Sequence, residues 1–292
     1  VNDFSGFAYA RPSTVSEAAS LLAEYGSEAR LLSGGTDLII KLHNKTLRPR
    51  IVVDLKRIPE LRRGISEIDG HLSISAATVM TDIARDERIA RYFPALIDAV
   101  SVVGSVQIRN RATLAGNICN ASPAADSAPP LLVHGAEVLA ASVNGTRRIP
   151  IAEFFVRSGV TTLRAGEFVT AIELPLPKRP IGAAHMRRSR RRGHDLASVT
   201  LCCGVDESGL TRLAYGSVGP KPVLALDESG VLADPGAPDE AKAEIFESMF
   251  AGASPSPRSM RASPEYRLAM LRVLGVRALR KAIERLEKGR AQ

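Results

Sequence analysis

The chain has 292 residues, 45% hydrophobic and 24% charged, an ordinary balance for one large or two medium globular domains with ample length for a buried core. Its net charge of +8 suits nucleic acid, an anionic cofactor or an acidic partner, but aromatics are only 4% with no Trp, poor material for stacking bases, so nucleic acid is disfavoured. No apolar run approaches the roughly 18 residues that a membrane span needs, so none is expected.

Residues 4–12 read as an extended entry and 13–26 as a helix: Ser13 or Thr14 can cap it, Glu17 lies in its first turn, and Ala18, Leu21, Leu22 and Tyr25 fall at helical spacing. Arg30-Leu31-Leu32 is then a buried strand, 37–42 a short helix and 51–55 another extended segment, which predicts a small β-α-β-α-β lobe with a parallel sheet. Residues 64–75 alternate apolar and polar around Asp69-Gly70, a hairpin signal. A helix is predicted to start at 81–86 and a longer one to span 93–103. The stretch 113–129, TLAGNICNASPAADSAP, is so rich in small residues, amides, hydroxyls and prolines that it reads as neither ordinary helix nor strand. An apolar segment begins at 129, a second hairpin spans 136–150 with its turn at Asn144-Gly145, and 168–175 is a strand ended by Pro175. Such mixed short elements describe an α+β lobe.

The run PLPKRP at 175–180 is the expected domain boundary. Beyond it, 197–205, 210–218 and 222–226 read as strands of a small antiparallel sheet, and 239–251 and 264–288 as helices. In the last helix Val276, Leu279, Ile283 and Leu286 form the predicted apolar face, leaving Arg277, Lys281, Arg285 and Lys288 outside. The three cysteines, Cys119, Cys202 and Cys203, form no CxxC and are too few to ligate an iron–sulfur cluster; Cys119 reads as a small buried filler. With no secretory pattern in the first residues, the expected compartment is the cytoplasm.

Two segments carry chemistry. Leu31-Leu32-Ser33-Gly34-Gly35-Thr36-Asp37-Leu38 is a strand entering a tight glycine turn, whose N–H groups make an anion nest. It is not a P-loop, because no Gly-Lys-Ser/Thr follows, nor a Rossmann fingerprint, because the G-x-G-x-x-G spacing is absent. In 113–129, Ala115-Gly116-Asn117 lets backbone come close to a ligand. Thr113, Asn117, Asn120 and Ser122 offer hydroxyls and amides there, and Asp126 a lone carboxylate acceptor. A phosphate wants N–H donors and a ribose or polyol wants an acceptor, so two glycine turns suit a pyrophosphate held from both sides. The residues alone read as a dinucleotide site, against a plain Gly/Ser/Pro loop.

SGGTDL, then RPRIVVDLKRIPEL, then TLAGNICNASPAADSAPPLL, in this order and spacing, resembles the FAD-binding medium subunit of the molybdenum hydroxylases, the family of xanthine dehydrogenase and carbon monoxide dehydrogenase. The likeness runs through almost the whole chain. It implies a two-lobed FAD-binding domain over 1–177 (lobes about 1–57 and 58–177), followed by a small C-terminal domain over 183–292 with an antiparallel sheet and helices. By resemblance, the FAD pyrophosphate sits on Leu32, Ser33, Gly34, Gly35, Thr36 and Asp37 and on Thr113, Ala115, Gly116 and Asn117, with Ser122 beside them. Where relatives commonly read Gly-Gly-Asn, this chain has Ala115-Gly116-Asn117. Asp126 would accept from the hydroxyls of the flavin nucleotide's sugar portion, or else cap a helix. The family pattern Lys-x-x-x-Arg-Arg-x-x-Asp-x-Ala places its lysine on Arg187, with Asp195 and Ala197 matching the end. Arg187 is thus the expected flavin contact, although Arg is not an equivalent donor; the wider run 187–192 also reads as a solvated patch or a partner contact. His185 falls where relatives place an aromatic. Leu174 is either a buried strand end or an apolar wall on the ring.

The resemblance further implies an electron relay. A large molybdopterin-binding subunit oxidises the substrate, a small subunit with [2Fe-2S] clusters passes the electrons on, and the flavin delivers them to a final acceptor. The implied assembly is a heterotrimer or a dimer of heterotrimers. No nucleophile, general base or metal ligand is expected here, because FAD carries the redox chemistry. The alternative is a stand-alone FAD-dependent oxidoreductase of related fold, which would want an acid/base residue beside the flavin.

Overall fold

The computed structural model describes residues 2–4, 6–191 and 193–290. The first lobe comprises β1 (Asn2–Phe4), β2 (Phe7–Ala10), α1 (Val15–Tyr25), β3 (Ala29–Leu32), α2 (Leu38–His43) and β4 (Ile51–Asp54). Its sheet runs β1-β2-β4-β3, with β4 parallel to both β2 and β3 and β1 an antiparallel edge. The predicted parallel core is present, with that edge strand added. Thr14 caps α1 by accepting from the Glu17 N–H at 3.1 Å, and the Glu17 carboxylate accepts in return from the Ser13 N–H at 2.6 Å. As the central parallel strand, β4 buries Ile51, Val52 and Val53.

The second lobe holds an antiparallel sheet of order β5-β6-β11-β7-β8, built from β5 (Ile65–Ile68), β6 (His71–Ser75), β7 (Glu137–Ser142), β8 (Gly145–Pro150) and β11 (Phe168–Pro175). A small hairpin, β9 (Phe155–Arg157) and β10 (Val160–Thr161), lies to one side. The Asp69-Gly70 turn is left-handed at both residues (φ 49° and 75°), the conformation a two-residue hairpin turn requires. Between the hairpins run α3 (Met80–Arg85), α4 (Glu87–Tyr92), α5 (Pro94–Val100), α6 (Val106–Arg109), α7 (Leu114–Cys119) and α8 (Ala128–Val133), and α9 (Ile151–Phe154) follows β8. The expected long helix over 93–103 is shorter. The helix expected to start at 81–86 is the short α3, and Asp86, which accepts from the Arg88 and Ile89 N–H groups, starts a separate α4 that was not anticipated.

The reading of 113–129 as non-helical is corrected by α7. Thr113 is its N-cap, accepting from the Gly116 N–H at 3.0 Å. Gly116 therefore lies in the first turn of a helix rather than in a glycine turn, and its φ is negative, unlike that of Gly35.

The C-terminal domain is an antiparallel meander of β12 (Ile181–Arg188), β13 (Val199–Asp206), β14 (Thr211–Gly216) and β15 (Val223–Asp227), followed by α10 (Asp239–Met249) and α11 (Pro264–Arg290). Sequence reasoning missed β12. Its Gly-Ala-Ala start has no strand preference and serves α11 instead: a Cβ on Gly182 would stand 2.0 Å from the Ala282 carbonyl oxygen. On β13, Cys202 joins the core shared with the first two lobes while Leu201 and Cys203 join the core under α10 and α11, the two-residue alternation of a sheet covered on both faces. On α11 the buried residues include Leu271, Leu274, Ala278, Leu279, Ala282 and Leu286. Val276, expected inside, is 38% exposed, and Lys281 and Arg285, expected outside, turn onto Asp98 of α5. Among the described residues no helix is long and apolar enough to cross a membrane.

Candidate functional site

Three parts of the chain meet at a cleft of about 730 Å³. The first lobe contributes the turn after β3, the second lobe the start of α7 and residues 122–126, and the C-terminal domain His194, Asp195 and Leu196. The turn and α7 are held together by close backbone packing. A Cβ on Gly34 would lie 2.2 Å from the Arg111 carbonyl oxygen, so only glycine lets the turn seat on the backbone before Thr113. Gly35 has φ 80°, the left-handed region glycine enters without strain. The Ser33 hydroxyl lies 3.3 Å from both the Ala76 carbonyl and the Thr113 hydroxyl, closing the floor.

Donors remain open above that floor. The N–H groups of Gly34, Gly35, Thr36 and Asp37 donate to no acceptor among the described residues, the arrangement of an anion nest. Farther along, Asn120 bridges the lobes: its amide donates to Asp37 at 3.4 Å while its carbonyl accepts from Lys41 at 3.4 Å. The Asn117 carbonyl accepts from the Ser127 hydroxyl at 2.6 Å, and the Ser122 hydroxyl accepts from the Ala124 N–H at 3.2 Å. The segment is also pinned to the C-terminal sheet, since the Pro123 carbonyl accepts from the Ser217 N–H at 2.7 Å.

Asp126 stands at the junction with the C-terminal domain and is not a helix cap. It is buried; its Oδ2 lies 3.1 Å from Arg187 Nη1 and its Oδ1 3.6 Å from His185 Nε2. That Oδ1 has no hydrogen-bond partner although it is buried beside the cleft. A buried carboxylate oxygen wants a donor, and a ligand hydroxyl would supply one.

Of the predicted site residues, Ser33, Gly34, Gly35, Thr36, Asp37, Thr113, Ala115, Gly116, Asn117, Ser122 and Asp126 all line this one cleft. Three others do not. Leu32 ends β3 beside the turn. Leu174 is fully buried in the core, so it has no surface to offer a ring, and Val169 of the same strand lines the cleft instead. Arg187 is a brace: its guanidinium donates to the Val102 carbonyl at 2.7 Å and the Asp195 carbonyl at 2.6 Å while paired with Asp126. A planar fork satisfies several acceptors at once, and here they are protein groups. His185 is buried, its ring nitrogen 2.8 Å from the Thr200 hydroxyl.

Cys119, expected as buried filler, is exposed and lines the cleft. Lys41, Val103, Ile108, His194 and Leu196 were not singled out, yet they line it too. Lys41 was legible as a cation six residues after Gly35, but the loop 194–196 reaches the site only through the packing of a distant domain. Among the described residues no group of His, Cys, Asp and Glu is arranged to hold a metal ion.

Residues 4–177 match the family described as the FAD-binding domain in molybdopterin dehydrogenase, and residues 184–282 match the CO dehydrogenase flavoprotein C-terminal domain. The chain belongs to the FAD-binding medium subunits of the molybdenum hydroxylases. This flavin subunit is 33% identical over 285 residues to the xanthine dehydrogenase FAD-binding subunit of Escherichia coli O157:H7, covering 96% of this chain and 97% of that one. It is 29% identical over 280 residues to the carbon monoxide dehydrogenase medium chain of Hydrogenophaga pseudoflava, covering 94% and 96%. Among solved structures it resembles a Cu,Mo-CO dehydrogenase in its cyanide-inactivated form, with a TM-score of 0.88 and 27% identity over 96% of this chain and 98% of that one. Quinoline 2-oxidoreductase from Pseudomonas putida 86 gives a TM-score of 0.85 and 28% identity over 97% and 99%. The subunit is thus an oxidoreductase component whose cofactor is FAD.

Proposed function

We propose that this chain holds FAD in the cleft and relays electrons within a molybdenum hydroxylase complex. It would take them from [2Fe-2S] clusters of a small partner subunit and pass them to a final acceptor, while a large molybdopterin-binding subunit oxidises the substrate. The observation that carries the reading is the convergence of the open N–H groups of 34–37, the capped start of α7 and the unsatisfied Asp126 oxygen on one cleft.

The donor set fits the cofactor. The N–H groups of Gly34, Gly35, Thr36 and Asp37 would hold the pyrophosphate, with Ala115, Gly116 and Asn117 facing it from α7. Lys41 adds positive charge on the same wall. Asp126 would accept from a hydroxyl of the flavin nucleotide, and its burial keeps water from competing for that oxygen. FAD supplies the redox chemistry when bound, and the protein's part is to place it and shield it. Division of the chain into an FAD-binding domain over 1–177 and a C-terminal domain over 183–292 fits this arrangement, with the latter closing the cleft through His194, Asp195 and Leu196.

The test is the visible spectrum of the chain after FAD is added and the excess removed by gel filtration. Retained bands near roughly 370 and 450 nm, with FAD released on denaturation, are expected. Absence of flavin both from the chain alone and from the chain co-expressed with its partner subunits would overturn the reading. The electron path is checked separately by flavin bleaching in the assembled complex when substrate is added without acceptor.

A further inference from the structure

A second cavity, of about 350 Å³, adjoins the glycine turn. Ser33, Gly34 and Thr113 form a wall common to both cavities, and Ala77 and Val79 also line the second one. Its remaining lining residues are Lys56, Arg62, Arg63 and Arg111, with no carboxylate among them. Lys56 is neutralised by Asp54, 2.6 Å away. Among the described residues, the three arginines make no side-chain hydrogen bond and no ion pair. Elsewhere in the chain, guanidinium groups such as those of Arg88, Arg147, Arg212 and Arg285 are paired with carboxylates.

The fold brings these arginines together from two directions. The 3₁₀ turn Pro59–Leu61 buries Leu61, and Ile58 before it is buried too, so the next residues, Arg62 and Arg63, are left on the surface. Arg111 sits at the backbone carbonyl against which Gly34 packs, and the Ala112 carbonyl after it accepts from the Met80 N–H at 2.9 Å. All three line the cavity with no carboxylate beside them. A tetrahedral oxyanion would supply the missing negative charge and oxygen acceptors of the kind a guanidinium fork fits. We propose that this cavity is a binding site for a phosphate-class oxyanion, a phosphoryl group carried by a small molecule, distinct from the pyrophosphate site in the larger cleft.

The experiment titrates inorganic phosphate into the full chain saturated with FAD, at constant ionic strength balanced with chloride, and follows binding by calorimetry. Saturable uptake of a single phosphate is expected, weakened by about tenfold for each guanidinium removed in Arg62→Gln, Arg63→Gln and Arg111→Gln. Flavin retention should stay unchanged in all three and in their combination. Absence of saturable binding, or an affinity unchanged in the triple variant, would overturn the site. So would phosphate that is taken up only without FAD and displaced by it, since that anion sits in the flavin cleft. If the triple variant does not fold, the single variants carry the test. Failure of the FAD reading shows separately, as loss of the flavin spectrum with the arginine dependence intact.

Discussion

Gly34 and Gly35 are adjacent, yet each is glycine for a different reason. At Gly34 the obstacle is backbone: a methyl group would stand 2.2 Å from the Arg111 carbonyl oxygen, which has no rotamer by which to move away. Gly34→Ala must lift the turn off the second lobe, so a loss of about 1–3 kcal/mol is expected, together with loss of FAD retention. At Gly35 the nearest atoms are side-chain ends, Leu32 Cδ1 at 3.0 Å and Ile39 Cγ1 at 3.2 Å, and the main cost is the left-handed φ, about 1–2 kcal/mol. Gly35→Ala should therefore keep more of its flavin than Gly34→Ala in parallel FAD titrations; the reverse order would refute the packing argument. Thr113→Val removes the cap of α7 and should cost about 1 kcal/mol in denaturant unfolding, with Thr113→Ser restoring most of it. For Asp126→Asn, with similar shape and no charge, FAD affinity is expected to fall about tenfold. A wild-type affinity would leave Asp126 as nothing more than the counter-ion of Arg187.

At the scale of elements, the ion cluster on Asp98 joins the two cores. Asp98 on α5 accepts from Arg285 at 2.7 and 3.0 Å, lies 3.3 Å from Lys281, and accepts from the His185 N–H of β12 at 3.3 Å. Burial alone would raise its pKa, but the hydrogen bonds from Arg285 and the charges of Arg285 and Lys281 outweigh burial and hold the carboxyl below its ordinary value. A folded pKa below the unfolded one means that the cluster contributes fully above the ordinary carboxylate range. That contribution is lost as the pH falls through the folded value. Asp98→Asn should destabilise the chain by on the order of 2–4 kcal/mol at neutral pH, because it strands Arg285. The gap between wild type and variant should close as the pH drops below about 4. Thermal unfolding of both proteins across that range decides it, and a gap independent of pH would refute the charge argument.

Sequence reasoning placed Leu279, Ile283 and Leu286 of α11 correctly on its inner face but misplaced Val276. The Val276 to Leu286 spacing is helical, yet α11 packs on a sheet whose Gly182 lets it come close, and that approach favours Ala278 and Ala282 over Val276. β12 itself was invisible because its small residues are chosen for the helix above it rather than for strand preference. The hairpin at Asp69-Gly70 and the glycine turn at Gly35 were legible because backbone conformation there demands particular residues. Gly116 was misread for the same kind of reason. Glycine in the first turn of a capped helix leaves room beside the Thr113 hydroxyl, 2.9 Å from where a Cβ would be, without any positive φ.

Over the whole molecule, the cleft exists only where two lobes and the C-terminal domain meet, and no single segment contains it. The candidate residues were legible because two of its walls are local motifs. The third wall, 194–196, arrives through packing that no local pattern encodes. It is held in place by Arg187, which spans the Val102 carbonyl on the lobe side, the Asp195 carbonyl in the loop and Asp126 in the cleft. A ligand that fills the cleft should therefore rigidify all three parts together. At about 100 times its dissociation constant, FAD should add about 2.7 kcal/mol to global stability, because it binds the folded state alone. Amide exchange should slow in 33–37, in 113–126 and in 194–196. Arg187→Gln should uncouple the last segment, so that FAD still protects the two glycine-bearing segments but no longer protects 194–196. Full protection of the loop in that variant would show that the ligand holds the third wall directly, and that Arg187 is dispensable as its brace.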